Sequence, residues 1–334
     1  MDIETLEEML SRPSAGLLAD FASFRGDLLI LGVGGKMGPT LAVMARRALA
    51  PAHRVIGASL FSSAEQRQHL ESKGVETLEG DLLDETFLAQ LPESENIIYM
   101  AGLKFGSLEN PAITWAMNTL LPALVARRFP RSRMVAFSTG NVYPFVPVRS
   151  GGCLESHPTQ PLGEYAQSCL GRERMLQYFS LKNNTAMVIM RLNYATELRY
   201  GVVVDIATRV FQGQAIDLTM GHFNMIWQGD ANNMALRSLA LAESPARILN
   251  VTGPDIISVR SLAEQFGTIF GKPPLFTGQE AGNALLSNAA FALERFGTAT
   301  VSLAQMIPWV AEWLQQGGPL LNKPTHFEER AGKY

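Results

Sequence analysis

A chain of 334 residues with 47% hydrophobic and 18% charged side chains has material for a large core, and its length suggests about two domains. A formal net charge of −3 asks for neither nucleic acid nor an anionic membrane, and no apolar run reaches the roughly 18 residues that would span a bilayer. Cys153 and Cys169 alone make no disulfide framework and no zinc cluster, metal-ligand spacing is absent, and the acidic opening MDIETLEEML is unlike a signal or transit peptide, so the expectation is a cytoplasmic protein without a metal.

Residues 1–26 are expected to form an N-terminal helical extension, one or two short amphipathic helices broken near Pro13, packed on the outside of the main sheet. Residues 27–38, DLLILGVGGKMG, then run an apolar strand into Gly32, Gly34, Gly35 and Gly38, with helical spacing beyond. Glycines in a strand-to-helix turn permit the sharp reversal, let a backbone approach a pyrophosphate, and let helix and strand pack closely. The helix start offers free N–H groups and a positive dipole end. Gly32, Gly35 and Gly38 fit G-x-x-G-x-x-G, a variant of the dinucleotide fingerprint.

Strands and helices alternate from there. Strands are expected at 27–32, 53–59, 75–79, 96–101, 133–138 and 185–191, and helices near 37–50, 63–73, 111–129 and 162–181, with a short one ending near 91. That rhythm predicts an α/β fold, a doubly wound parallel sheet of Rossmann type over 27–191, with ligands at the carboxyl ends of its strands. Beyond 191 the rhythm loosens into helical patterns near 202–213, 230–243, 258–271 and 302–316, with short strands near 216–219 and 247–251. The reading is a smaller α/β lobe over 192–316, in which one strand can return to the main sheet, and a tail at 317–334.

Together GVGGKMG at 32–38, GDLLD at 80–84, AGLK at 101–104, FSTGNVYP at 137–144 and YAQSC at 165–169 resemble an extended short-chain dehydrogenase/reductase of the NAD-dependent epimerase/dehydratase family, over about 27–316. The resemblance implies NAD(P) as cofactor, held by Gly32, Gly34, Gly35, Lys36, Met37, Gly38, Ser59, Asp81, Leu82, Ala101, Gly102, Lys104 and Tyr165. Asp81 would reach the adenine, unless it only caps the following helix. The ribose-reading position falls near Ser59, where neither an acid nor an arginine stands, so NAD and NADP stay open. AGLKFGSLENP is similar to a segment of UDP-galactose 4-epimerases, which places Lys104 beside the nicotinamide half.

Thr139 takes the place of the family's catalytic Ser/Thr, a hydroxyl that hydrogen-bonds the substrate oxygen, and Tyr165 that of its catalytic tyrosine, the general acid or base of hydride transfer. One turn on, where the family holds a lysine that binds the nicotinamide ribose and lowers the tyrosine's pKa, this chain has Cys169. An ordinary tyrosine titrates near 10, so a base active near pH 7 requires roughly 4 kcal/mol of help. The oxidised nicotinamide or Lys104 could supply it; Arg172 lies about 10 Å along the helix, far for direct help. Arg191 and Arg199 are candidates for holding a substrate carboxylate or phosphate, or for structural salt bridges. The absence of Arg or Lys between Gln212 and Arg237 speaks against a nucleoside diphosphate sugar.

The function expected is an NAD(P)-dependent epimerase/dehydratase or oxidoreductase acting on a sugar-like hydroxyl or carbonyl, as a homodimer through the helices near 111–129 and 162–181. A catalytically impaired NAD(P)-binding protein, serving as sensor or partner subunit, is the alternative; a Rossmann-like domain for another ligand is a third.

Overall fold

The computed structural model describes residues 1–104, 106–323 and 325–333; Phe105, in the AGLK segment, and Pro324 and Tyr334, in the tail, lie outside them. The first strand, β1 (Leu28–Leu31), is buried along its whole length, as a strand covered on both faces must be. It pairs in parallel with β2 (Val55–Ser59) on one side and with β4 (Asn96–Tyr99) on the other. Adding β3 (Glu76–Glu79), β5 (Arg133–Thr139), β6 (Met187–Leu192) and β7 (Arg247–Val251) gives a seven-stranded parallel sheet in the order β7-β6-β5-β4-β1-β2-β3. The order reverses between β1 and β4, the switch point beside which doubly wound sheets hold their ligands. At one edge, β3 carries Glu76 and Glu79, ion-paired to Arg54 and Arg67, charges that discourage further strands from adding.

Strand β7 pairs with β6 from Arg247↔Val188 to Val251↔Leu192, so the chain leaves the sheet after 192 and comes back to it. It is the returning strand that the second lobe was expected to lend to the main sheet. The helix Gln228–Arg237 buries Ala231, Met234 and Leu236 in the core that also holds Leu28, Ile30 and Leu41. It is tied to the helix after the glycine loop, α3 (Gly38–Ala48), by Gln228 and Asn232, whose amides both donate to the Thr40 hydroxyl. A second core gathers Val203, Ile206, Phe223, Phe266, Val310 and Phe327.

The opening segment forms α1 (Ile3–Leu10) and α2 (Ala15–Phe21), capped by the Asp2 and Ser14 side chains. Leu6 and Leu10 of α1 belong to the second core, Leu17 and Phe21 of α2 to the first. The helix expected at 111–129 is interrupted: α-turns at Pro111–Trp115 and Leu121–Arg128 flank a π-helical turn, Ala116–Leu120. Pro122 has no N–H to give the carbonyl of Asn118, four residues back, and such turns recur at functional sites. The long helix α8 (Gly163–Asn183) packs beside it.

Residues 317–323 and 325–333 fold across the second core. Phe327 is fully buried, Glu328 pairs with Arg209, and the backbone N–H and hydroxyl of Thr325 both donate to Asp205. Among the described residues no helix is long and apolar enough to cross a membrane, and both cysteines are free and buried.

Candidate active site

The glycine loop leaves β1 through Gly32 at φ +86°, where a Cβ would lie 2.6 Å from the Ala101 nitrogen. It enters α3 through Gly38, whose Cβ would lie 2.1 Å from the Val33 carbonyl oxygen. At Gly35 the nearest atom to an added Cβ is the Gly32 carbonyl oxygen at 3.4 Å, so this glycine keeps an open face. No side chain caps the start of α3, and Pro39 occupies its first turn. The result is a glycine cradle with unclaimed backbone donors, and it fits the pyrophosphate of a dinucleotide. Ser59 stands close beside Gly34, whose carbonyl accepts from the Gln66 amide; no acid reads a ribose there. Asp81 is exposed and accepts from the Leu83 N–H in a local turn, and Asp84 caps the helix after it. Leu82 and Ala101 are buried, and Gly102 lies so close to Arg172 that a Cβ would meet its Nη2 at 2.5 Å.

At the carboxyl ends of β1, β5 and β6 a cavity of about 150 Å3 brings together Lys36, Lys104, Thr139, Tyr165 and Tyr200, closed by Thr325 from the tail. Thr139 ends β5. Its hydroxyl accepts from the Asn141 N–H at 3.1 Å and so caps the short turn Gly140–Val142, while remaining in the wall of the cavity. One side chain thus caps a turn and faces the cavity.

Tyr165 comes from the first turn of α8. Burial pushes its phenol well above the usual value and the Cys169 thiol adds to that, outweighing the Arg172 charge and the hydrogen bond from Thr139, which pull it down. The Cys169 thiol is itself raised by burial, and it packs among Val142, Tyr143 and Cys153. Tyr165 is therefore a proton-holding acid at neutral pH rather than a ready base.

Arg172 is nearer the chemistry than rise per residue suggests, because long helical side chains lean toward the N-terminus. Its guanidinium donates to the Phe137 carbonyl at 2.6 Å, to Asn118 Oδ1 at 2.7 Å and, through Nε, to the Asn118 carbonyl at 3.4 Å, the group Pro122 leaves without its helical donor. Asn118 also bonds both backbone groups of Leu103 and the Ser168 hydroxyl, so it joins the AGLK loop to α8. Asn118 and Arg172 were not among the expected site residues; a buried asparagine just before Leu-Leu-Pro was the only signal for the first.

Lys104 reaches into the cavity. Its Nζ donates to the Thr325 carbonyl at 3.0 Å and lies 5.8 Å from the Tyr165 ring centre; burial lowers its pKa to about 8. Lys36 arrives from the glycine loop: it donates to the Ala195 carbonyl at 3.2 Å, lies 3.6 Å over the Tyr200 ring, and is lowered by burial to about 7. Met37 joins the same wall.

Arg191 is not brought to the cavity. It is buried at the end of β6, where Nε and Nη2 grip Glu173 at 3.0 and 2.7 Å and Nη1 donates to the Tyr143 hydroxyl. The substrate role expected of it gives way to a structural ion pair, because the side chain from this strand position faces α8. Arg199 is paired to Glu197 and Glu7 and lines a neighbouring cavity of about 400 Å3 with Arg209 and Lys323. The segment at 227–230 lies inside, where Asp230 accepts from Thr300 and Val301.

A family model described as the NAD-dependent epimerase/dehydratase family matches residues 28–196, half of the chain, including the glycine loop, Thr139 and Tyr165. The chain belongs to that family. Sequence comparison with curated proteins finds no match. Among solved structures, this epimerase/dehydratase-family chain is similar to the UDP-glucose 4-epimerase of Thermotoga maritima with UDP-glucose (16% identity, TM-score 0.72, covering 87% of this chain and 99% of that one). It is also similar to the UDP-glucuronic acid 4-epimerase of Bacillus cereus in complex with UDP-glucuronic acid and NAD (15%, 0.71, 87% and 99%). A third is the dTDP-glucose 4,6-dehydratase of Bacillus anthracis in complex with NAD (13%, 0.72, 87% and 97%). At these identities the likeness is one of fold, and it covers 87% of this chain.

Proposed function

We propose that the protein is an NAD(P)-dependent epimerase/dehydratase or oxidoreductase that works in the cytoplasm on a sugar-like hydroxyl or carbonyl. The observation that carries this reading is the convergence of an open glycine cradle with Thr139 and Tyr165 at one switch point of the sheet. A bound nicotinamide dinucleotide supplies the hydride chemistry. Gly32, Gly34, Gly35 and Gly38 would shape the cradle for its diphosphate, with Ser59 and Asp81 toward the adenosine half and Lys104 toward the nicotinamide. Thr139 hydrogen-bonds the substrate oxygen, and Tyr165 exchanges a proton with it. Since burial keeps the phenol protonated, Tyr165 acts first as a donor, and Arg172 and Lys104 are the cations that steady the charge it takes on after giving up the proton. Replacing Tyr165 by Phe is expected to lower turnover by about a hundred-fold or more while leaving cofactor affinity intact; full turnover in the variant would remove the acid/base assignment.

The alternative, a dinucleotide-binding protein without turnover, is favoured by one observation: Cys169 raises the phenol's pKa where a lysine would lower it. Cofactor binding with no turnover on any sugar or sugar acid would select it.

We further propose a homodimer. The π-interrupted helix and α8 leave Ile113, Leu120, Tyr178 and Leu181 exposed at 44, 52, 53 and 64%, an apolar surface suited to a second copy. Light scattering is expected to give a dimer for the wild type and a monomer for Leu181→Glu; a wild-type monomer at micromolar concentration would end the proposal.

A further inference from the structure

The family resemblance accounts for Lys104, Thr139 and Tyr165, but it attaches no chemistry to the side chain of Lys36. That side chain comes from the middle of the glycine loop and lines the cavity. An ammonium has three donors. The Ala195 carbonyl takes one and the Tyr200 ring another, which leaves a donor for the cavity that both residues line. Lys36 makes no ion pair among the described residues. Glu197, the acid that acts on it most strongly, is already committed to Arg199 at 3.0 Å. The described cavity wall contains Lys36 and Lys104 and no carboxylate at all. Two ammonium groups facing a small, acid-free space repel each other, and burial costs each of them; an anionic group between them relieves both penalties.

Resting on the reading of this cavity as the substrate site, we propose that Lys36 is the receptor for a carboxylate on the substrate, which is then a sugar acid and not a neutral sugar. Size argues for a single ring. A cavity near 150 Å3 has room for one small ring system and not for a nucleoside diphosphate sugar. The absence of Lys and Arg between Gln212 and Arg237 leaves that stretch without a cation for a nucleotide's phosphates. The other anionic oxygens within reach of the glycine loop are those of the cofactor's own diphosphate, and the test separates the two sources.

Calorimetry on the full chain loaded with NAD, using glucuronate and galacturonate against glucose and galactose as probes, tests this. At least one acid is expected to bind about ten-fold or more tightly than its neutral partner. Lys36→Met is expected to erase that preference, Lys36→Arg to keep most of it, and both to hold NAD within about three-fold of the wild type. Lys36→Arg, with the charge retained, guards against a loss due only to misfolding. Equal binding of acids and neutral sugars by the NAD-loaded wild type would overturn the proposal. So would a Lys36→Met protein that loses NAD yet keeps the preference, which would assign the ammonium to the diphosphate. If the wild type binds no nicotinamide cofactor, the proposed function falls first and this inference with it.

Discussion

Arg191 offers the sharpest test of the structure against the sequence, because its type and its place after a strand suggest a ligand-binding arginine while its contacts are internal. Its guanidinium and the Glu173 carboxylate are 3% and 0% exposed and meet at 2.7 Å, with the Ser138 hydroxyl donating to the same carboxylate. Substituting Arg191 by Met leaves a buried carboxylate with that single hydroxyl as a side-chain partner, a loss of about 3–5 kcal/mol. For a chain of this size the melting temperature is expected to fall by about 4–7 °C. Replacing both partners, Arg191→Met with Glu173→Met, removes the stranded charge and is expected to recover much of that loss, a coupling of about 2–3 kcal/mol in a double-mutant cycle. Urea unfolding followed by tryptophan fluorescence measures all four proteins, and calorimetry with NAD, well below the unfolding midpoint, checks the site. A single mutant with the wild-type midpoint but weakened substrate affinity would refute the reasoning and return Arg191 to the substrate.

The glycine loop and the two cavity lysines make further predictions. Gly38→Ala must displace the Val33 carbonyl, 2.1 Å from the new Cβ, and is expected to lower both the unfolding midpoint and NAD affinity. Gly35→Ala, with 3.4 Å to its nearest neighbour, is expected to keep the midpoint and lose only affinity. Equal stability in the two variants would contradict the geometry of the turn. As for pH, Lys36 and Lys104 stand at about 7 and 8 in the native protein against 10.5 for a free lysine, chiefly because they are buried. Lys36 is faced by Glu197, Asp205, Lys104 and Lys323, and Lys104 by Asp205, Cys169 and Glu328. Between about pH 7 and 10 the unfolded chain holds more protons than the native one, so stability rises with pH across that window. Lys36→Met and Lys104→Met are each expected to flatten the rise in urea midpoint; a variant as steep as the wild type would show that its lysine is not buried as described.

Periodicity found the sheet strands and most helices because each depends on local pattern: the buried run at β1 and the capping serines announce themselves in a few neighbouring residues. What it could not state depends on distant pairing. The strand at 247–251 and a return to the main sheet were foreseen, but the choice of β6 as its partner and the packing of the helix Gln228–Arg237 in the first core have no local signal. The site divided in the same way. Thr139, Tyr165 and the glycines are carried by motifs, whereas Asn118 and Arg172 matter only because a proline and a π-turn leave a carbonyl for a side chain from another helix. Arg191 and Arg199 were chosen by residue type, and type cannot tell a pocket from a buried partner; Glu173 and Glu197 decided it. The tail was illegible because its glycines and charges resemble a loose end, yet Phe327 has a slot waiting and Thr325 a carboxylate.

The opening pair of helices has a mechanical consequence. Leu6 and Leu10 are set in one core, Leu17 and Phe21 in the other, and only the short passage around Pro13 joins them; Glu8 and Glu7 add ties to Arg47 and Arg199. The segment acts as a rivet through both halves. Jaw-like opening of one half against the other would have to pull leucines out of a core, so the segment resists that motion.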